Sequence, residues 1–142
     1  MATVFDTAAY ILEKQGKMST WKLQKLCYYA QAWHLAWTEQ PIFGEDFEAW
    51  RNGPVCRELY NKHRGRFMID SLPDGDPSAL SMDEVDSIER VIAEYGALEP
   101  YALREQTHHE DPWINARAGL APDAPSDRII SKNDIGEYYA SL

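Results

Sequence analysis

The sequence predicts a mainly α-helical protein with a small antiparallel β-sheet, an α+β arrangement folded as one compact domain over residues 1–142. Three observations predict it. Apolar residues recur three and four positions apart in several stretches, most of them bounded by a capping residue or a glycine. Strand-like patterning is confined to two short runs, Phe47–Trp50 and Ile129-Ile130. No repeat or low-complexity tract divides the 142 residues, a length typical of one domain.

The first helix is expected from about Thr3 to Gln15, with Val4, Phe5, Ala8, Ile11 and Leu12 on one face and Gly16 as its stop. Ser19 or Thr20 caps a longer second helix reaching about Thr38. Its stripe of Leu23, Leu26, Cys27, Ala30, Trp33 and Trp37 is widened by Tyr28, Tyr29 and Ala36. A helix apolar on more than one side is either central to the core or part of a binding surface. Pro41–Gly44 reads as a turn, and Phe47–Trp50 alternates as a short strand. Asn52-Gly53-Pro54 breaks that strand, and Pro54 suits the start of a third helix over about Val55 to His63. Pro73, Gly75 and Pro77 mark a loop. Ser81 with Glu84 is a capping box for a fourth helix, with Val85, Ile88, Ile92 and Tyr95 inward and Gly96 at its end. A short helix from Pro100 to about Gln106, a helical turn over Pro112–Ala118 and a loop to Ser126 follow. Ile129-Ile130 then forms a second strand, and Ser131 with Asp134 caps a last helix carrying Ile135, Tyr138 and Tyr139.

Composition narrows the class of protein. Hydrophobic residues make up 44% and charged residues 26%, an ordinary globular balance. No apolar run approaches the ~20 residues of a membrane span. The start, Met1-Ala2-Thr3-Val4-Phe5-Asp6, lacks the basic and apolar segments of an export signal. Cys27 and Cys56 form no framework and read as reduced thiols. A cytosolic protein without a membrane partner is expected.

The net charge of −9 is localised. Between Asp74 and Asp111 the acids far outnumber the two bases, Arg90 and Arg104, while elsewhere acids and bases balance. Direct nucleic-acid binding through this segment is disfavoured, since phosphate contacts need clustered cations. Two readings fit it: a solvated face that keeps the protein dispersed, or a surface steering a basic partner protein. Upstream, Arg57, Lys62, Arg64 and Arg66 form a smaller basic cluster that could rim an anion site.

Candidates for chemistry are few. His108, His109, Glu110 and Asp111 are the one dense group of ligand types, but neighbouring histidines point in different directions, so at most one joins Glu110. The spacing demands no metal, and His34 and His63 add nothing to it. The plainer role for His108 is a hydrogen-bonding residue whose tautomer Glu110 holds. Cys56, near a helix start beside Arg57, is the best candidate nucleophile, against a plain reading as a small packed side chain. No phosphate loop, nucleophile elbow or paired-cysteine motif is present. A small metal or cysteine enzyme centred on His108, Glu110 and Cys56 is the rival reading; no catalytic residue and no cofactor is expected.

Aromatic residues reach 12% of the chain, with five tryptophans and eight tyrosines. Most belong to the core, yet one small core cannot easily hold them all, so some are expected at a protein interface. Trp21 and Tyr28, seven apart on the flank of the second helix, are the first choices.

Three blocks carry a resemblance. Leu23-Gln24-Lys25-Leu26-Cys27-Tyr28-Tyr29-Ala30-Gln31-Ala32-Trp33 is the first. Pro41-Ile42-Phe43 and Phe47-Glu48-Ala49-Trp50-Arg51-Asn52-Gly53-Pro54-Val55, with Leu59-Tyr60, follow it. Thr107-His108-His109-Glu110-Asp111-Pro112-Trp113 is the third. Together they resemble the Panacea domain of SocA-like antitoxins, also found in phage-associated proteins, and the likeness runs from about Ala8 to Tyr139. The resemblance implies an antitoxin of a type II toxin–antitoxin pair that neutralises a toxin by direct binding. In that family some members instead deliver the toxin to an ATP-dependent protease, and a homodimer is a further option. Longer relatives carry a DNA-binding region beside this domain, and none is expected here. The signature residues, Leu23, Lys25, Leu26, Tyr29, Trp33, Trp50, Gly53, Pro54, Val55, Thr107, His108, Glu110, Pro112 and Trp113, are expected to build the scaffold. Gly53 permits a tight turn, Trp50 packs onto the second helix, and His108 bonds Glu110. Toxin contacts are assigned to Trp21, Tyr28, Asp83, Asp86 and Glu89, the exposed aromatics and acidic stretch.

Overall fold

A computed structural model describes residues 1–142. Seven helices carry two small antiparallel sheets. In chain order the elements are α1 (Val4–Gln15), β1 (Met18–Ser19), α2 (Thr20–Thr38), β2 (Phe47–Trp50), β3 (Gly53–Val55), α3 (Arg57–His63) and β4 (Met68–Ile69). A 3₁₀ turn (Pro77–Ala79) precedes α4 (Met82–Tyr95), α5 (Pro100–His108), α6 (Asp111–Ala116), β5 (Ile129–Ile130) and α7 (Lys132–Ala140).

Local capping sets most helix limits. Thr3 and Asp6 form a reciprocal capping box at α1, and Ser81 and Glu84 do the same at α4. Ser19 caps α2 through Lys22 N, and Ser131 caps α7 through Asp134 N.

Helix α2 is the axis of the fold, packed against α7, α4, α1 and α5. Leu23, Leu26, Cys27, Tyr28, Tyr29 and Ala30 are all buried along it. Two buried glutamines one heptad apart join it to the strand region. The Gln31 side chain accepts from Ile42 N at 2.8 Å and donates to Phe43 O at 2.8 Å. Gln24 treats Cys56 alike, accepting from its N at 2.8 Å and donating to its O at 3.1 Å. Each amide satisfies both main-chain groups of a segment outside the sheet ladder, where an orphaned pair would be costly.

The three-stranded sheet runs β3-β2-β5 and the two-stranded one pairs β1 with β4. Here the structure corrects the sequence reading: Pro54 lies in β3, opposite Ala49, and α3 begins at Arg57. A proline lacks the ladder donor, and β3 is an edge strand where that loss is tolerated. The hairpin reverses through Arg51-Asn52, and Gly53 closes it with φ at 113°. A Cβ there would fall 2.4 Å from Lys25 Cε and 3.1 Å from Thr107 Oγ1. Gly53→Ala is therefore expected to lose about 1–3 kcal/mol in thermal unfolding. Gly44→Ala, which meets open space without a positive φ, should lose little.

On α4 the buried face is Ser87, Ile88, Val91 and Tyr95, while Val85 and Ile92 are half-buried at its margins.

Candidate functional site

The signature blocks meet around the N-terminal half of α2. Lys25 Nζ donates to Pro54 O at 3.2 Å, Tyr29 hydroxyl donates to Glu110 Oε1 at 2.8 Å, and Trp113 Nε1 donates to Trp50 O at 2.8 Å. Leu23, Lys25, Leu26, Tyr29, Gly53, Pro54, Val55, Thr107, Glu110, Pro112 and Trp113 are buried, and Trp33, Trp50 and His108 half-buried.

Within this frame two expected contacts are replaced. Trp50 packs against Tyr60 of α3, ring centroids 5.0 Å apart, with the Arg57 guanidinium 5.3 Å from its ring. It faces α3 because β2 turns its odd residues, Phe47 and Ala49, into the core. His108 does not bond Glu110. It stacks on Trp113 at 3.9 Å between ring centroids, and its buried Nε2 has no hydrogen-bond partner. Burial, with Arg104 adding positive charge, pushes its pKa down to about 4, so the ring is neutral at pH 7. The last turn of α5 and the extended N-cap of α6 send the two side chains apart.

Glu110 looks instead into the core. Its Oε1 also accepts from Tyr139 hydroxyl at 2.7 Å, and Tyr139 and Tyr28 hydroxyls lie 3.2 Å apart. Tyr29 stacks on Tyr95 at 4.1 Å, and Trp33 Nε1 donates to the Tyr95 hydroxyl at 2.9 Å. Much of the aromatic surplus is thus absorbed by one buried polar–aromatic network joining α2, α4, α6 and α7. Tyr28, chosen from sequence as an exposed contact, is 1% exposed and belongs to this network. The seven-residue spacing from Trp21 could not show this, because the partner, Tyr139, lies at the far end of the chain.

The rival chemistry finds no assembled site. Burial pushes the Cys56 thiol up to about 12, and Glu58 beside it also opposes the thiolate. The Cys27 thiol is raised well above its ordinary value. His34 bonds Ser87 Oγ and His63 bonds Gln24 Nε2, so each is held in the packing. No group of three His, Cys, Asp or Glu side chains is placed to hold a metal ion.

Two surfaces carry the accessible residues among the expected contacts. On α4, Asp83 and Asp86 are exposed. Glu89 is half-buried, accepts from Tyr10 hydroxyl and lies 3.8 Å from Lys14 Nζ. Beside them Trp37 is 39% exposed, stacked on Trp33 at 5.5 Å with the Arg90 guanidinium 3.8 Å above its ring. Trp33, Trp37, Arg90, Val91, Glu94 and Tyr95 line a groove of about 330 Å³ there. Trp37 belongs to the apolar stripe of α2 but sits in its last turn, past most of the packed layer. On another side, Trp21, Lys25, Asn52, Pro100, Tyr101 and Arg104 line a pocket of about 230 Å³.

No helix is long and apolar enough to cross a membrane. Comparison with known proteins gives a match to the family described as antitoxin SocA-like, Panacea domain, over residues 23–114, more than half of the chain. No curated protein and no solved structure matches it.

Proposed function

Since the chain belongs to the SocA-like antitoxin family with a Panacea domain, we propose that it neutralises a cognate toxin by direct protein–protein binding in the cytosol, with no bond-making of its own. The family match over residues 23–114 carries this reading. The arrangement of the molecule supports it: most of the signature residues are buried in the scaffold, which leaves exposed positions free to set the partner.

The favoured contact surface is the outward side of α4 with the end of α2. Asp83 and Asp86, with Glu89 at the margin, would steer a basic toxin surface. Trp37 is the aromatic anchor next to them, a residue type that concentrates binding energy. Trp21 borders the separate pocket and is a second contact candidate. The buried, unactivated Cys56 thiol favours binding over cysteine catalysis.

Co-expression with the product of the adjacent reading frame tests the reading. Growth should be rescued and the two proteins should co-elute on size exclusion without any protease. A harmless neighbour, or a toxic one that forms no complex, overturns it. In the complex, charge reversal by Asp83→Lys with Asp86→Lys should weaken binding about tenfold at low salt, and less as salt rises.

A further inference from the structure

Lys25 is a buried cation without a counter-ion. It is 2% exposed in the N-terminal half of α2, and no carboxylate oxygen lies within ion-pair distance of its Nζ. Of its three N–H donors, one reaches Pro54 O at 3.2 Å. The Trp21 ring, 5.5 Å away, is its other electrostatic partner. The charge that acts on it is of the same sign: Arg104 disfavours protonation of Lys25.

Arg104 is itself incompletely used. Its Nε donates to Asn52 Oδ1 at 3.2 Å and its Nη1 to Glu105 Oε2 at 3.4 Å, while Nη2 has no acceptor in the protein. The two cations share the walls of the 230 Å³ pocket with Trp21, Asn52 and Tyr101. A buried unpaired charge is expensive, and two like charges on one cavity raise that cost. An anion placed between them would satisfy the spare donors of both.

We propose that this pocket is a binding site for a carboxylate, held by Lys25 Nζ and Arg104 Nη2 and flanked by the rings of Trp21 and Tyr101. A monoanion fits the local charge. Glu105 already shares the charge of Arg104, so the site offers at most one unshared positive charge, that of protonated Lys25. A dianionic phosphate would leave surplus negative charge beside Glu105. The aromatic sides suit a carboxylate borne on a flat or short apolar group. A free organic acid and an acidic residue of a bound protein both carry this chemistry.

Titration of the isolated full-length chain with benzoate at pH 6, where Lys25 is charged, read by calorimetry at constant ionic strength, tests the site whether or not a toxin partner exists. Saturable binding is expected, tighter than that of inorganic phosphate. Arg104→Gln, at the half-exposed rim, should weaken it about tenfold. Lys25→Met should abolish it, with circular dichroism reporting that the variant is folded. No saturable binding of benzoate, binding unchanged in Arg104→Gln, or tighter binding of phosphate overturns the proposal. Where benzoate binds, its addition to a purified toxin complex separates the two sources. Release of the toxin assigns the carboxylate to the partner, and an intact complex assigns it to a free acid.

Discussion

Glu110→Ala is expected to reduce the free energy of unfolding by about 3–5 kcal/mol, a large share of the stability of a domain this size. Glu110 is 9% exposed, and one of its carboxyl oxygens accepts from two tyrosyl hydroxyls, Tyr29 at 2.8 Å and Tyr139 at 2.7 Å. Both tyrosines are essentially inaccessible, so neither hydroxyl has water to turn to once the carboxylate is gone. Tyr29 is left without an acceptor and Tyr139 with only the Tyr28 hydroxyl 3.2 Å away; about 1–3 kcal/mol for each lost or weakened bond, with the small void left by the side chain, gives the estimate. Burial raises the Glu110 carboxyl above its ordinary range, and the two tyrosyl donors pull it partly back. Glu110→Gln keeps an acceptor in place and should cost about 1–2 kcal/mol. Urea unfolding at pH 7 measures both. An alanine variant within 1 kcal/mol of wild type would show that the tyrosines find other partners, and that the network is not the clasp joining α2, α6 and α7.

The parts of this fold that a linear reading reaches are those decided within four residues of chain. Thr3 with Asp6, Ser19 with Lys22, Ser81 with Glu84 and Ser131 with Asp134 each complete a cap locally, so helix limits could be read directly. What escaped depends on distant partners. Gly53-Pro54-Val55 is a strand because β2 pairs with it and Gln24 holds the following Cys56, not because of its own propensity. The two-residue pair β1–β4 joins Met18 to Ile69, too short and too far apart to leave a periodic signal. Glu110 and His108 are neighbours in sequence, yet one turns to Tyr139 and the other to Trp113. The Lys25 pocket leaves one trace in the sequence, the lysine itself. A lysine inside the apolar face of a central helix must be paired, neutral or poised for a ligand, and the sequence alone does not say which.

That lysine supplies the second large effect. Wild-type protein is expected to gain on the order of 2 kcal/mol of stability between pH 7 and pH 9, and Lys25→Met is expected to lack the gain. Burial first, and Arg104 second, bring the Lys25 pKa down from 10.5 to about 7. Between those values the unfolded chain holds a proton that the folded chain has released. Raising the pH strips that proton from the unfolded state and removes its advantage, so folding becomes more favourable until the pH passes the unfolded value. The groups facing Lys25 leave the window clean. Trp21 and the Pro54 carbonyl do not titrate, and His63 and His108, both pushed down by burial, are already neutral. Exchanging the ammonium for an apolar chain of similar length should also make the variant about 1–4 kcal/mol more stable than wild type at pH 6, where the lysine is charged. The two stability curves should therefore converge as the pH rises. Parallel curves would mean that Lys25 keeps its proton at pH 9 and that water or a neighbouring group already balances it. Convergence would mean that the folded chain bears the cost of a buried, unmatched cation at neutral pH, which is the condition a carboxylate ligand relieves.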